Sequence, residues 1–234
     1  MFEFTERHHA FISASFFKKL RDTHGETGLS VFTHATQRYA GQRGSRMAQR
    51  AMMLGLPLTF ETYCALGEWD YSESFINSIA SDHIQVLSTC PDYCYNVIKC
   101  PWNEQYKDMG LLDGAVLYCQ YLDLSIAYGF NPDLDFRVLQ TMHNTGKCVF
   151  ELKNACLTKE PQKLQDWTLP FIYHCSHIYY TFSAIVKSVF KLEGAALSLS
   201  VLEDFACEYG KNAADKILEY KHVDFNVLYR TTQL

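Results

Sequence analysis

The sequence predicts an α+β fold: an antiparallel sheet of about four strands with a buried central helix, flanked by N-terminal and C-terminal helical hairpins. Apolar residues recur every three or four positions near both ends of the chain, which is typical of amphipathic helices. The middle instead contains short runs rich in β-branched and aromatic residues. We therefore expect residues 1–157 to form an α+β core that includes the N-terminal hairpin. Residues 158–234 are expected to form a C-terminal helical hairpin packed on that core.

Two amphipathic runs predict the N-terminal hairpin. The first covers about residues 6–22, and His24-Gly25-Glu26 separates it from the second, at about residues 28–55. The second run contains Gly41 and Gly44, although a glycine in a helix interior costs about 1 kcal/mol relative to alanine. Close approach of a neighbouring helix or of a ligand would explain both glycines.

A pair of antiparallel strands is predicted next. Residues 84–88 and 93–100 are β-rich, and Pro91-Asp92 between them is a turn sequence. Cys100-Pro101-Trp102 is expected to end the second strand, and a short turn is expected at 103–106.

The central helix and a second strand pair follow. Residues 113–130 are mostly apolar and are stopped by Asn131-Pro132, which predicts a helix. Residues 136–142 and 148–152 flank the glycine-containing segment 143–147, which predicts a β-hairpin.

The C-terminal part begins with a polar segment, residues 158–166, which we interpret as a linker. Two helices are then expected, at residues 172–192 and 195–220, joined at Glu193-Gly194.

Charge and segment composition exclude several classes of protein. The net charge of −5 is spread without a basic block, so we expect no nucleic-acid partner. The N-terminal residues lack the pattern of a secretory signal, and no stretch approaches the roughly 20 apolar residues of a membrane helix. We therefore expect a cytoplasmic protein without a membrane partner.

The cysteines and missing motifs argue against cofactors. The nine cysteines are scattered and odd in number, so reduced thiols are expected. No Cys-x-x-Cys pair is present, and Cys90, Cys94 and Cys100 fit no common zinc spacing. His174 and His177 share a helix face but lack a third ligand, so packing against tyrosines is favoured over metal binding. Because phosphate-binding glycine motifs are also missing, we predict neither a metal nor another cofactor.

Four short motifs occur in a specific order. They are Tyr39 with Gly41, Arg43 and Gly44; Cys100-Pro101-Trp102; Cys119 with Asp123; and Gly146 with Cys148 and Phe150. Together they resemble the L-2-amino-thiazoline-4-carboxylic acid hydrolase family over roughly residues 6–153, and residues 158–234 extend beyond that region. The resemblance implies hydrolytic opening of a C–N bond in a small cyclic amidine or amide-type heterocycle.

The resemblance and the chemistry together suggest catalytic residues. Opening such a ring needs a nucleophile, a proton carrier and a polar site for the tetrahedral intermediate. Asp123, on an apolar helix, is the candidate general acid or base, and either Cys100 or water is the nucleophile. Cys119 shares a helix face with Asp123, and Cys148 belongs to the last motif. The alternatives are that Asp123 pairs with a backbone group or an arginine, and that Cys100 is a core residue.

Substrate binding is assigned to the first two motifs. Arg43 and Arg46 lie beside glycines and could hold a substrate carboxylate, although a solvated arginine face is also compatible with the pattern. Tyr39 and Trp102 complete this predicted binding set, whereas His143 is interpreted as an exposed turn residue.

Two other functions remain open. One is a non-catalytic small-molecule sensor, because the predicted core also resembles ligand-binding domains of the vinyl-reductase type. The other is a biosynthetic enzyme that forms or rearranges a ring in the same pocket. In each case the partner is a small molecule, and a homodimer is left open.

Overall fold

The computed structural model describes residues 3–79, 83–159 and 161–228, and the chain divides into two compact units. The first unit comprises Met1–Tyr39, Pro101–Tyr118 and Pro170–Asp224. The second comprises Ala40–Cys100, Cys119–Leu169 and Phe225–Leu234. Among the described residues, no helix is long and apolar enough to cross a membrane.

The second unit contains the predicted four-stranded antiparallel sheet. Its strands are β1 (Ile84–Ser88), β2 (Tyr93–Val97), β3 (Phe136–Gln140) and β4 (Cys148–Leu152), in the order β1-β2-β4-β3. Tyr95 pairs with Val86 on one side and with Phe150 on the other, and Phe150 also pairs with Val138. These cross-strand pairs combine aromatic and β-branched side chains, which favour a pleated, half-buried surface. The α+β class and the antiparallel sheet are therefore confirmed.

Two strands end before their predicted last residues, and a helix begins within a few residues of each strand end. The second predicted strand ends at Val97, and helix α4 (Pro101–Asp108) replaces the expected short turn. Proline suits the first position of a helix, since it lacks only a donor that would be unpaired there. The last predicted turn is a short helix, α6 (Met142–Thr145), ended by Gly146 in the left-handed conformation (φ 77°).

The N-terminal helical run is α1 (Glu6–Met53), interrupted at Gly25, whose φ of 52° and ψ of −130° are not helical. Within the first unit, the rings of Phe17 and Phe32, on either side of that break, are 5.3 Å apart. A hydrogen bond of 2.8 Å also joins His9 Nε2 to the Tyr39 hydroxyl. Both contacts require the chain to turn back at Gly25, because a straight helix would place His9 and Tyr39 about 45 Å apart.

The central helix is α5 (Leu112–Phe130), close to its predicted bounds. Two further short helices, α2 (Phe60–Ala65) and α3 (Glu73–Ser78), lie in a part of the chain for which no structure was predicted. They begin at Thr59 and Ser72, whose side-chain oxygens accept backbone N–H groups as N-caps.

The C-terminal helices are α7 (Phe171–Tyr209) and α8 (Lys211–Leu218), preceded by a short 3₁₀ turn at Gln165–Trp167. The predicted break at Glu193-Gly194 is wrong in position: the non-helical residue is Lys191 (φ 55°), and Gly194 is helical. The predicted 195–220 helix is also divided, because Gly210 has a φ of 91°.

A disulfide joins Cys90, in the turn before β2, to Cys156, after β4. The expectation that all nine thiols are reduced is therefore wrong. The same junction is held by Lys153, whose ammonium contacts the Asp92 carboxylate, and by Asn154 N–H, which donates to Asp92 Oδ1 at 2.8 Å.

A candidate active site in the second unit

The second unit forms an open cavity of about 470 Å³, a volume typical of small-molecule sites. Residues of α1, α5, the sheet and the segments around α2 form its wall. The polar and aromatic residues in that wall are Arg43, Tyr63, Cys64, Glu68, Trp69, Asp70, Tyr71, Tyr93, Tyr95, Asp123, Phe136 and Lys163.

Three glycines explain how α1 and α5 reach this cavity together. A Cβ at Gly44 would lie 2.0 Å from the carbonyl oxygen of Ile126, and one at Gly129 would lie 2.5 Å from that of Gly41. No side chain fits at Gly44 or Gly129, so the two helix backbones are in direct contact there. Of the two glycines predicted to allow close approach, Gly44 therefore faces a helix, whereas a Cβ at Gly41 would meet nothing within 4 Å. The effect of this helix contact on the site is to place Arg43 and Asp123 in one wall.

Asp123 is a carboxylate that faces the cavity. No group among the described residues donates a hydrogen bond to it, and no cation there lies within ion-pair distance. Burial raises the pKa of Asp123 from its usual 3.8 to about 6, and the positive charge of Arg43 opposes that rise. A carboxyl group with such a pKa can both accept and release a proton near neutral pH.

Arg43 is buried, with 4% of its side chain exposed, and it borders the same cavity. Its guanidinium carbon lies 3.6 Å from the centre of the Trp69 ring, a cation–π stack. Its Nε is 3.8 Å from Glu68 Oε2. The structure thus places one predicted substrate-binding arginine in the wall, fixed between an indole and a carboxylate.

Arg46 has a different environment. Its Nε and Nη2 donate to the two oxygens of Glu68 at 2.9 and 2.6 Å, and its Nη1 donates to the carbonyl of Phe225. Arg50 Nη2 adds a 2.8 Å hydrogen bond to Glu68 Oε1. The side chains of Arg46, Arg50 and Glu68 are fully buried, and we call these three residues the ion-pair centre. Arg46 is thus held inside this centre and does not line the cavity.

Two tyrosines and one cysteine in the wall keep their protons at neutral pH. Burial, assisted by the nearby charge of Asp123, raises the pKa values of Tyr63 and Tyr95 well above their usual range. Burial also raises the pKa of Cys64 to about 11. The phenols are therefore hydrogen-bond donors, and the thiol is not a ready nucleophile.

The three predicted catalytic cysteines do not line the cavity. Cys148 is buried in a small core cluster with Met142 and Phe150, and Cys100 packs against it. Burial raises the pKa of Cys148 to about 11. It raises that of Cys119 further, with contributions from Cys100, Cys148 and Asp123. The environments of Cys119 and Cys148 therefore disfavour thiolates.

Tyr39 and Trp102, the other predicted binding residues, belong to the first unit. Both are buried, and both bond to His9: the Trp102 indole donates to Nδ1 at 3.0 Å, and Tyr39 bonds to Nε2. Neither lines the cavity of the second unit.

The predicted histidines are also placed by the structure. His174 and His177 are fully buried, and His177 lies against the ring of Tyr39, with centroids 4.5 Å apart. His143, expected to be exposed, is partly buried, and burial lowers its pKa. Within the described ranges, no group of three or more His, Cys, Asp or Glu side chains is arranged to hold a metal ion.

Sequence reasoning missed Glu68, Trp69, Tyr63 and Cys64, which all lie between the end of α1 and β1. One signal was available: residues 68–71 read Glu-Trp-Asp-Tyr, an aromatic and acidic cluster in a short loop. Tyr95 could have been found from strand alternation, since it shares a sheet face with Tyr93.

A family model described as L-2-amino-thiazoline-4-carboxylic acid hydrolase matches residues 5–152, well over half of the chain. The matched region includes Arg43 and Asp123 and ends before Pro161 and Lys163, which also border the cavity. Searches of curated proteins and of solved structures gave no significant match.

Proposed function

Because the chain belongs to the L-2-amino-thiazoline-4-carboxylic acid hydrolase family, whose members hydrolyse a carbon–nitrogen bond of a cyclic amidine, we propose that the cavity of the second unit is its active site. The substrate is a small cyclic amidine that carries a carboxylate, such as an amino-thiazoline carboxylate. One observation carries the proposal: Asp123, with its pKa raised to about 6, and the guanidinium of Arg43 border the same cavity.

Arg43 binds the substrate carboxylate. Arginine matches a carboxylate with two parallel N–H donors, and the Trp69 ring holds the guanidinium in place. The ring of the substrate then lies among Tyr63, Tyr95 and Trp69, which offer flat apolar surfaces and hydroxyl donors.

Asp123 carries protons between a water molecule and the ring nitrogen. As the water oxygen bonds to the amidine carbon, one water proton passes through Asp123 to the ring nitrogen. When the C–N bond breaks and the carbonyl forms, Asp123 takes the second proton from the hydroxyl oxygen and passes it to the leaving ring nitrogen. The net change is the gain of one water, and the carboxylate ends in its starting state.

Water is preferred to a cysteine as the nucleophile. Cys64 is the thiol in the wall, and with a pKa of about 11 it is almost entirely protonated at neutral pH. Cys100, Cys119 and Cys148 do not border the cavity. The phenols of Tyr63 and Tyr95 donate hydrogen bonds to the oxygen that attacks the ring.

The direct test is to incubate the protein with L-2-amino-thiazoline-4-carboxylate and with related heterocyclic acids, and to search by mass spectrometry for a product heavier by one water. The test variant is Asp123→Asn, and its matched control is Asp133→Asn, at an exposed aspartate. We expect turnover by the wild type and by Asp133→Asn, and turnover lowered about 10²–10⁴-fold in Asp123→Asn. Tight binding without any product would contradict the proposal and favour a sensor.

A further inference from the structure

Residues 161–169, which we call the strap, cross one side of the cavity and lie beyond the family match. Two backbone hydrogen bonds fix the strap to the segment after α2. Leu164 N–H donates to the carbonyl of Ala65 at 2.9 Å, and Leu169 N–H donates to that of Glu68 at 2.7 Å. The strap therefore supplies part of the wall and holds the segment that carries Glu68 and Trp69.

Lys163, in the strap, contacts that segment through its side chain. Its Nζ donates to the backbone carbonyl of Trp69 and lies 2.5 Å from Asp70 Oδ1. A Cβ at Gly67 would stand 4.0 Å from Nζ, so the ammonium lies directly over this glycine. The side chain is 26% exposed and borders the cavity. One ammonium thus joins three successive parts of the segment 67–70.

The contact continues from Trp69 to Arg43. The Trp69 backbone is held by Lys163, and the Trp69 ring is stacked 3.6 Å from the guanidinium carbon, so Trp69 links the strap to Arg43. Arginine discriminates a carboxylate only when both donors point at it, so a small rotation of the stack weakens binding.

We propose that Lys163 is a positioning residue that selects substrates bearing a carboxylate. It fixes Trp69, and through the indole it fixes the plane of the Arg43 guanidinium before substrate enters. Fixing that plane in advance removes an ordering cost that binding would otherwise meet. This inference rests on the proposed function, because it assigns the substrate carboxylate to Arg43.

The test compares Lys163→Met and Lys163→Arg with Lys159→Met, a control at an exposed lysine of the same region. Two substrates are used: L-2-amino-thiazoline-4-carboxylate and 2-amino-thiazoline, which lacks the carboxylate. For the acid, Lys163→Met is expected to raise KM about tenfold with kcat within about twofold of wild type, since ground-state and transition-state binding weaken equally. For the acid, the KM of Lys163→Arg is expected to lie within about threefold of the wild-type value. For the ring without the carboxylate, the KM is expected to be the same in wild type and in all variants.

A second variant tests the same contact in case Lys163→Met does not fold. Asp70→Asn removes a carboxylate that pairs with Lys163 at an exposed position and leaves the bond to the Trp69 carbonyl. Its KM for the acid is expected to lie between those of wild type and Lys163→Met. An unchanged KM in both variants, or an equal loss for both substrates, would overturn the inference while leaving the proposed hydrolysis intact.

Calorimetric titration separates the two claims if no substrate turns over. Wild-type protein that binds the acid without hydrolysing it would contradict the proposed function. The positioning role then stands if Lys163→Met binds the acid about tenfold more weakly, and it fails if the affinities are equal or if neither protein binds the acid.

Discussion

Two acidic residues of the second unit lie at the same cavity, yet their surroundings assign them different roles. Glu68 is fully buried and receives hydrogen bonds from Arg46 and Arg50. Asp123 receives none from the described residues, and the positive charge of Arg43 partly offsets its burial. A carboxylate whose bonds are satisfied by the protein stabilises the fold, whereas one left facing a cavity is available to a ligand. Burial alone therefore does not identify a catalytic acid.

The largest effect is expected at the ion-pair centre. Glu68→Gln removes the negative charge from between two buried arginines and should lower the free energy of unfolding by about 3–5 kcal/mol. Urea denaturation followed by circular dichroism measures this change. Glu61→Gln, at an exposed position on α2, is the matched control. If Glu68→Gln were as stable as wild type, Glu68 would not have the structural role that distinguishes it from Asp123.

Arg43 should affect binding more than stability. Arg43→Met keeps the length of the chain against Trp69 but removes the guanidinium, so the KM for an acidic ring is expected to rise about 10–100-fold. Steady-state kinetics on the ring with and without its carboxylate measures the effect, and the neutral ring should show little change. If both rings lose equally, Arg43 is not the carboxylate partner.

The pH dependence of kcat/KM should report Asp123. The residue must be ionised to accept a proton, so kcat/KM is expected to fall about tenfold per pH unit below a midpoint near 6. Arg43→Met removes the charge that lowers this pKa, so its midpoint should move to higher pH. A profile without an acid limb between pH 5 and 7 would contradict the assignment of Asp123 as the base.

Much of the fold could be predicted because its signals are local. The first and last strands follow from residues 84–88 and 148–152 alone, and α5 ends where Asn131-Pro132 stops it. The break at Lys191 could not be found in this way, since nothing in its residue type favours a positive φ. Its position is therefore a property of packing within the first unit.

The residues of the candidate site also differ in whether local sequence patterns predict them. Asp123 and Arg43 were accessible to sequence analysis because each stands out on its own helix, one as a charge among apolar residues and one beside glycines. Arg46 looked equivalent to Arg43, but Arg46 is hydrogen-bonded to Glu68, 22 residues away, whereas Arg43 is stacked on Trp69. The roles of Trp69 and Lys163 depend on their contact with each other, and because they are 94 positions apart, no local sequence pattern predicts it. Tyr39 and Trp102 were selected from motifs, but they bond to His9 in the first unit.

The most direct test of the account is the behaviour of Asp123→Asn in paired activity and stability measurements. The raised pKa means that the stabilising contribution of protonated Asp123 is fully present below 3.8 and is lost as pH rises through about 6. The neutral variant should therefore exceed wild type by about 1–3 kcal/mol in unfolding free energy near pH 8, and match it near pH 4. Its kcat/KM should fall by about 10²–10⁴-fold. A variant that is less stable than wild type near pH 8, or that keeps its activity, would contradict the account.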